Sequence, residues 1–195
     1  MKIKSLNVAA SIVLLLALSF ATAMQAQQAQ PAKSPEPQTK LELFQAKTGG
    51  VIVKNFSEIG SMDGQGGKVT VTSREFIDAQ TGRKEYGLSI EIKEDRSLER
   101  EDRAFVDYDE IDSLLKGIDY VSAIDKSVTK LKDFQADYRT TGSLRVSVYS
   151  MSETSVRVAI GVGRISSLSV SFRLDQIKDF RKMIVDAKAV IDAIK

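Results

Sequence analysis

Residues 168–184 read Leu-Ser-Val-Ser-Phe-Arg-Leu-Asp-Gln-Ile-Lys-Asp-Phe-Arg-Lys-Met-Ile, and this stretch decides the fold. Leu168, Val170 and Phe172 alternate with polar residues, which is the pattern of a β-strand with one buried face. From Ile177 onward the apolar residues recur every three or four positions, which is the period of an amphipathic helix. A strand that passes into a helix within a few residues predicts an α+β unit whose sheet and helix share one core.

The same strand-to-helix transition occurs once more, about 65 residues earlier. Three pairs of matching segments indicate the repeat: 44–46 with 134–136, 109–114 with 175–180, and Ile118 with Ile184. Phe-Gln-Ala is identical in the first pair, and an acidic residue opens the helix in the second. An internal repeat of this kind identifies the unit from which a fold is built.

Further alternating segments supply the remaining strands. They are 51–53, 69–71, 88–92, 144–148 and 156–162. Glycine-rich or glycine-centred reversals separate them, with Gly60–Gly67 as a flexible connection between two strands. The sequence therefore predicts an α+β fold of two pseudo-repeated modules, residues 41–130 and 131–195, each with about four antiparallel strands followed by one helix and packed as a single domain.

Two helices are predicted, from Tyr108 to Leu131 and from Asp175 to the end of the chain. The first has an apolar side formed by Ile111, Leu114, Leu115, Ile118, Val121, Val128 and Leu131. The second has one formed by Ile177, Phe180, Ile184, Ala187, Ile191 and Ile194. Asp107 is the predicted cap of the first helix. We expect each helix to cover its own sheet, and a seam between the two helices is the alternative.

The first 23 residues have the pattern of a secretory signal peptide. Lys2 and Lys4 precede an apolar run at 8–20, and Ala21-Thr22-Ala23 offers small residues for cleavage. Cleavage is expected after Ala23, with Ala26 as the second candidate. Residues 24–40 are rich in glutamine and contain all three prolines, which predicts a disordered linker. The protein is therefore expected to be exported to the periplasm or the medium, with no membrane span once the leader is removed.

Composition excludes several classes of chemistry. The chain has no cysteine and no histidine, which removes disulfides, zinc sites of the usual kind, Cys–His and Ser–His nucleophiles and haem ligation. No cofactor and no metal is expected. Without Lys2 and Lys4 the mature chain has 26 basic and 26 acidic residues, so nucleic acid is not an expected partner.

Carboxylates crowd the start of the first helix. Asp107, Asp109 and Glu110 are the candidate residues of a carboxylate-dependent hydrolase, in which two acids with different pKa values share general acid–base work. The alternative is capping, because the helix dipole and the free N–H groups favour acids at a helix start. The charge run at 94–103 is interpreted as a solvated hairpin tip.

Basic residues suggest a different kind of site. Residues 131–195 contain 11 basic and 7 acidic residues, whereas residues 24–130 contain 15 and 19. Binding of a polyanion or nucleic acid outside the cell would require one contiguous basic face, for which the candidates are Arg139, Arg145, Arg157 and Arg164. A surface of mixed sign would oppose it.

Two resemblances bear on these expectations. The stretches 50–56, 107–111, 117–120 and 163–165 resemble segments of small exported bacterial proteins of unknown function, which implies export and no particular chemistry. The order of four strands and a helix, written twice, is similar to that of the Whirly and PUR-alpha families of single-strand nucleic-acid binders. That similarity is one of topology, and topology does not fix function.

The leading expectation is an exported, non-enzymatic binding protein. Its partner would be an envelope or secreted protein, or an apolar ligand, held by a sheet face or by the seam between the modules. The hydrolase and the polyanion binder are the alternatives.

Overall fold

A computed structural model describes residues 39–195 except 96–99, 153–154 and 165–166. The predicted signal peptide and nearly all of the predicted linker lie outside these residues. Thr39 and Lys40, the last two residues assigned to the linker, are described and already belong to the folded part, because Thr39 is fully buried and caps a helix.

The predicted fold class is confirmed: two four-stranded antiparallel sheets are each followed by a helix. In chain order the elements are α1 (Lys40–Gln45), β1 (Ile52–Gly64), β2 (Gly67–Asp78), β3 (Lys84–Glu94), β4 (Glu101–Asp107), α2 (Ile111–Ser122), β5 (Gln135–Arg139), β6 (Arg145–Ser150), β7 (Val156–Val162), β8 (Leu168–Arg173) and α3 (Ile177–Asp192). Sheet 1 has the order β1-β2-β3-β4 and sheet 2 the order β5-β6-β7-β8.

The two strand-to-helix junctions are equivalent. In each module one turn of 3₁₀ helix, Tyr108–Glu110 or Leu174–Gln176, joins the last strand to the helix. Ile118 and Ile184, which the repeat aligns, are both buried in the core. The first matching pair is not structurally equivalent, because segment 44–46 ends α1 whereas segment 134–136 leads into β5.

The expectation that each helix covers its own sheet is also wrong, because the helices are exchanged. α2, from the first module, packs on β5 and β6 of sheet 2, and α3, from the second, packs on β1, β2 and β3 of sheet 1. The two helices also contact each other, so the alternative of a seam between them is partly confirmed. The exchange places both modules in one continuous apolar core.

Two close contacts hold the exchanged helices. A Cβ on Gly117 of α2 would lie 2.3 Å from the ring of Tyr138 in β5, so the absent side chain lets the ring pack on the helix backbone. On the other sheet, the hydroxyl of Ser73 in β2 donates to the carbonyl oxygen of Ala187 in α3 over 3.0 Å. Sequence periodicity cannot report such pairings, since it defines a buried face without naming what covers it.

The first helix is shorter than predicted. α2 ends at Ser122, and Val128 and Leu131, which we assigned to its apolar side, are 61% and 76% exposed. Asp125 accepts from the N–H of Ser127 and starts a single 3₁₀ turn instead. The second helix is close to its prediction, although Ile194 lies beyond its end and is exposed.

A second apolar cluster lies on the outer face of sheet 1. Leu41 and Phe44 of α1 pack on Phe76 and Phe105 of the sheet. Asp107 does not cap α2: its carboxylate accepts from the backbone N–H groups of Lys40, at 2.7 Å, and of Leu41, at 3.1 Å. It therefore holds the first turn of α1 against the sheet, where free N–H groups need acceptors.

The glycine-rich segment is not the flexible connection that we expected. β1 continues to Gly64, and the hairpin turn consists of Gln65 and Gly66 alone. Gly66 has φ +99°, which a residue with a side chain rarely adopts. The turn touches the other module, because Gln65 exchanges two backbone hydrogen bonds with Ser171 of β8, at 2.8 and 3.1 Å.

Candidate functional site

The outward face of sheet 2 has the composition of a binding surface. Its side chains form three rows across the strands: Arg139, Arg145, Gly161 and Ser169; Asp137, Ser147, Ala159 and Ser171; Gln135, Tyr149, Arg157 and Arg173. The intervening residues, such as Val146 and Ile160, point into the core and are fully buried. We call this surface, with Arg164 at its border, the arginine face.

Three arginines of this face have a carboxylate partner. Arg164 forms a two-pronged pair with Glu42 of α1, with both contacts at 2.8 Å. Arg139 lies 3.8 Å from Asp137, and Arg173 lies 3.1 Å from Asp175. The positive charge of these side chains is therefore largely compensated within the protein.

Arg145 and Arg157 differ from the other three. Within the described part of the chain, no carboxylate lies at ion-pair distance from either guanidinium. Arg157 donates from Nε to the hydroxyl of Ser171 over 3.1 Å. Arg145 lies over Gly161, where a Cβ would come within 3.5 Å of its Nη2. Arg157 is thus positioned by a neutral hydroxyl, whereas Arg145 lies close enough to Asp137 for its charge to lower the pKa of that carboxyl, without an ion pair between them.

The floor between these two arginines is small and polar. Ser147, Ala159 and Ser171 occupy the middle row, and the hydroxyls of Tyr149 and Ser171 lie 2.8 Å apart. Small side chains let a ligand approach the sheet closely, and hydroxyls both donate and accept hydrogen bonds.

Two adjoining cavities follow this floor. One, of about 360 Å³, is lined by Arg139, Arg145 and Arg164 together with the turn at Ser143. The other, of about 630 Å³, extends over the middle row and is bordered by Gln65 of the first module. They share Arg145 and Gly161, so they form one continuous groove.

Asp137 is the acidic residue within the three rows. Burial acts to raise its pKa, but hydrogen bonds from Ser147 and Gln135 and the charges of Arg145 and Arg139 outweigh burial, so that the pKa lies below its usual value. Asp137 is therefore ionised at neutral pH. The face is of mixed sign, with cations at its two ends and an anion at the edge of the middle row. It is therefore not the contiguous basic face that we expected a nucleic-acid or polyanion binder to require, and any attraction of an anion is local to Arg145 and Arg157.

All four arginines that we named as polyanion-binding candidates, Arg139, Arg145, Arg157 and Arg164, lie on this face or at its border. For Arg139, Arg145 and Arg157 the alternation along each strand places the side chain on the outward face. Arg173 was missed, although it occupies the outward position of β8 directly opposite Arg157. The pairing of Arg164 with Glu42 could not be foreseen, because the partner is 122 residues away.

The three candidate hydrolase carboxylates are not brought together. Asp107 supports α1, and burial raises its pKa despite the two N–H groups that it accepts from. Asp109 pairs with Lys40 Nζ at 2.6 Å, and Glu110 accepts from the backbone N–H of Thr141 at 2.8 Å. Each carboxylate has its own structural contact, and the geometry offers no shared acid–base pair.

Other candidate chemistry is equally sparse in the described ranges. They contain no group of three or more acidic, histidine or cysteine side chains that could hold a metal ion. Nor do they include a helix that is long and apolar enough to cross a membrane. The charge run at 94–103 includes the end of β3 and the start of β4, which pair with each other, whereas residues 96–99 of the predicted hairpin tip lie outside the described residues.

One apolar groove lies at the opposite side of sheet 2. It measures about 480 Å³ and runs between α2 and the edge strand β5, along Tyr120, Val121 and Tyr138. Nothing in the described residues indicates what would fill it.

We compared the chain with protein-family models, with curated proteins and with solved structures, and none of them matches. The assignment of function therefore rests on the geometry of this chain alone.

Proposed function

We propose that this protein is an exported binding protein that holds an anionic ligand on the arginine face. The observation that carries the proposal is the pair Arg145 and Arg157, two half-buried arginines that form no ion pair with a carboxylate of the described residues. Arg145 lines a groove whose floor is serine, alanine and glycine, and Arg157 lies beside it and donates to Ser171 of that floor. Guanidinium groups bind carboxylates and phosphates through paired, charge-assisted hydrogen bonds. A face prepared in this way favours ligand binding over a purely structural role.

The net charge of the protein would not attract an anionic ligand, so any attraction must come from the arginine face itself. The mature chain has equal numbers of basic and acidic residues, so a polyanion would be attracted by this face and not by the whole protein. Such an attraction between exposed charges weakens as salt increases, because the screening length falls to about 8 Å at physiological ionic strength. Binding to the arginine face should therefore be strongly salt-dependent.

The expected partner is an anionic component of the envelope or of the medium. This follows from the predicted leader, and N-terminal mass analysis of the protein from fractionated cells tests it. A mature chain that begins at Met24 or Gln27 supports export, and a retained Met1 in the cytoplasmic fraction contradicts it.

Retention on a heparin column, a general polyanion, tests the binding itself. We expect the mature protein to be retained at low salt, and Arg145→Gln and Arg157→Gln to elute at clearly lower salt. Arg83→Gln is the matched control, because Arg83 is an exposed arginine on the hairpin between β2 and β3 and its loss changes the net charge equally. No retention of the parent, or an equal shift for the control, overturns the proposal.

A further inference from the structure

We infer that the ligand of the arginine face is an extended acidic oligosaccharide that lies along β6 and β7. This inference rests on the proposed function and names the class of ligand. It follows from how charge, hydroxyl groups and space are distributed along the groove.

The charge pattern sets the spacing of the anionic groups. Along the strands, the backbone positions of Arg145 in the first row and Arg157 in the third are separated by four residues of register, or roughly 13 Å. Arg157 reaches back toward the middle row, where its Nε donates to Ser171. A matching ligand therefore carries acidic groups that can reach both arginines and hydroxyl groups that can pair with the row between them.

The floor fits a sugar better than a flat aromatic or an aliphatic chain. Ser147, Ser171 and Tyr149 present hydroxyl groups, and Ala159 and Gly161 leave room above the strands. Neutral sugar hydroxyls can exchange hydrogen bonds with such groups, whereas an aliphatic ligand would leave them buried and unpaired, which weakens binding.

A nucleic acid fits this pattern less well. Single-strand binders stack several bases on aromatic side chains, whereas the three rows of this face contain one aromatic residue, Tyr149.

The guanidinium of Arg145 lies over Gly161, where an added Cβ would make only ordinary contacts with it, at 3.5 and 3.6 Å. Arg145→Lys keeps the charge but removes the planar guanidinium. This substitution separates the geometry of the site from simple electrostatic attraction.

The experiment is calorimetric titration of the mature protein at low salt with two ladders, oligogalacturonates and heparin-derived oligosaccharides, from the monomer or disaccharide upward. We expect one ladder to gain about tenfold or more in affinity once the oligomer spans both arginines. Fully methyl-esterified oligogalacturonate, inorganic phosphate and a single-stranded oligodeoxynucleotide of similar total charge should all bind more weakly than the best oligomer.

Variants give the second readout. Arg145→Gln, Arg157→Gln and Arg145→Lys should each remove most of the gain with length, while Arg83→Gln should retain it, with folding checked by circular dichroism. Equal affinities along both ladders, or tighter binding of the oligonucleotide or of an acidic peptide, overturn this inference and leave the proposed function standing. If none of these anions binds, the proposed function fails as well.

Discussion

The outer faces of the two sheets have opposite characters, although the modules that form them are repeats. Sheet 1 presents Phe76 and Phe105, and α1 covers both with Leu41 and Phe44. Sheet 2 presents arginines and small polar residues, and no described element covers them. The repeat is therefore symmetric in its core and asymmetric on its surfaces.

The two faces therefore differ in their expected roles. α1 precedes β1 and has no counterpart before β5, so it covers one sheet only. The apolar face with its own helix contributes to folding. On the polar face Arg145 and Arg157 form no ion pair with a described carboxylate, and we propose that this face binds a ligand and contributes less to folding. Each prediction below separates these two roles.

The largest effect should come from removing the apolar cover of sheet 1. Phe44→Ala deletes a ring that is 2% exposed, and we expect a loss of about 3 kcal/mol in the free energy of unfolding. Urea denaturation measures it. A loss below about 1 kcal/mol would show that α1 adds little to the stability of sheet 1.

A smaller but still clear effect should come from the exchanged helix. Gly117→Ala places a Cβ against the ring of Tyr138, and the overpacking should cost about 1–3 kcal/mol. Gly50→Ala is the matched control, because a Cβ at Gly50 would make only ordinary van der Waals contacts, the nearest at 3.5 Å. Equal stability of the two variants would contradict the placement of α2 on sheet 2.

These elements also show what the sequence can and cannot predict. Six of the eight strands and the buried face of α3 follow from local periodicity, and the structure confirms them. The periodicity did not identify β4, β5 or the two 3₁₀ junctions. The exchange of helices, the role of Asp107 at α1 and the partner of Arg164 depend on contacts between distant residues. The sequence identified Arg139, Arg145, Arg157 and Arg164 as candidates. Only the structure shows which of them form an ion pair with a described carboxylate.

The response to pH should distinguish the attachment of α1 from the rest of the fold. Lys47, which follows α1, donates to Asp78, and with the N–H group of Thr81 it lowers the pKa of that carboxyl to about 2 from a usual value near 3.8. The stabilisation is complete above about pH 4 and disappears as the pH falls toward 2.

Asp78→Asn removes this dependence. The variant should be less stable than the parent at neutral pH, and the difference should vanish as the pH approaches 2. Urea denaturation at a series of pH values measures both curves. A constant difference between parent and variant from pH 7 to pH 2 would contradict the assigned pKa.

The smallest effect on stability should come from the arginine face. Arg145→Gln breaks no ion pair among the described residues and adds no bulk, so we expect the free energy of unfolding to change by no more than about 0.5 kcal/mol. A loss above about 1 kcal/mol would mean that this arginine supports the fold and is not held ready for a ligand.

The most direct test of the account is an NMR titration of the ¹⁵N-labelled mature protein with the best-binding acidic oligosaccharide. The account predicts that amide shifts concentrate at Arg145, Ser147, Ala159, Gly161 and Ser171, on the outer face of sheet 2, while Thr72 and Ser89 on sheet 1 stay unchanged. Shifts centred on sheet 1, or spread evenly over both sheets, would contradict it.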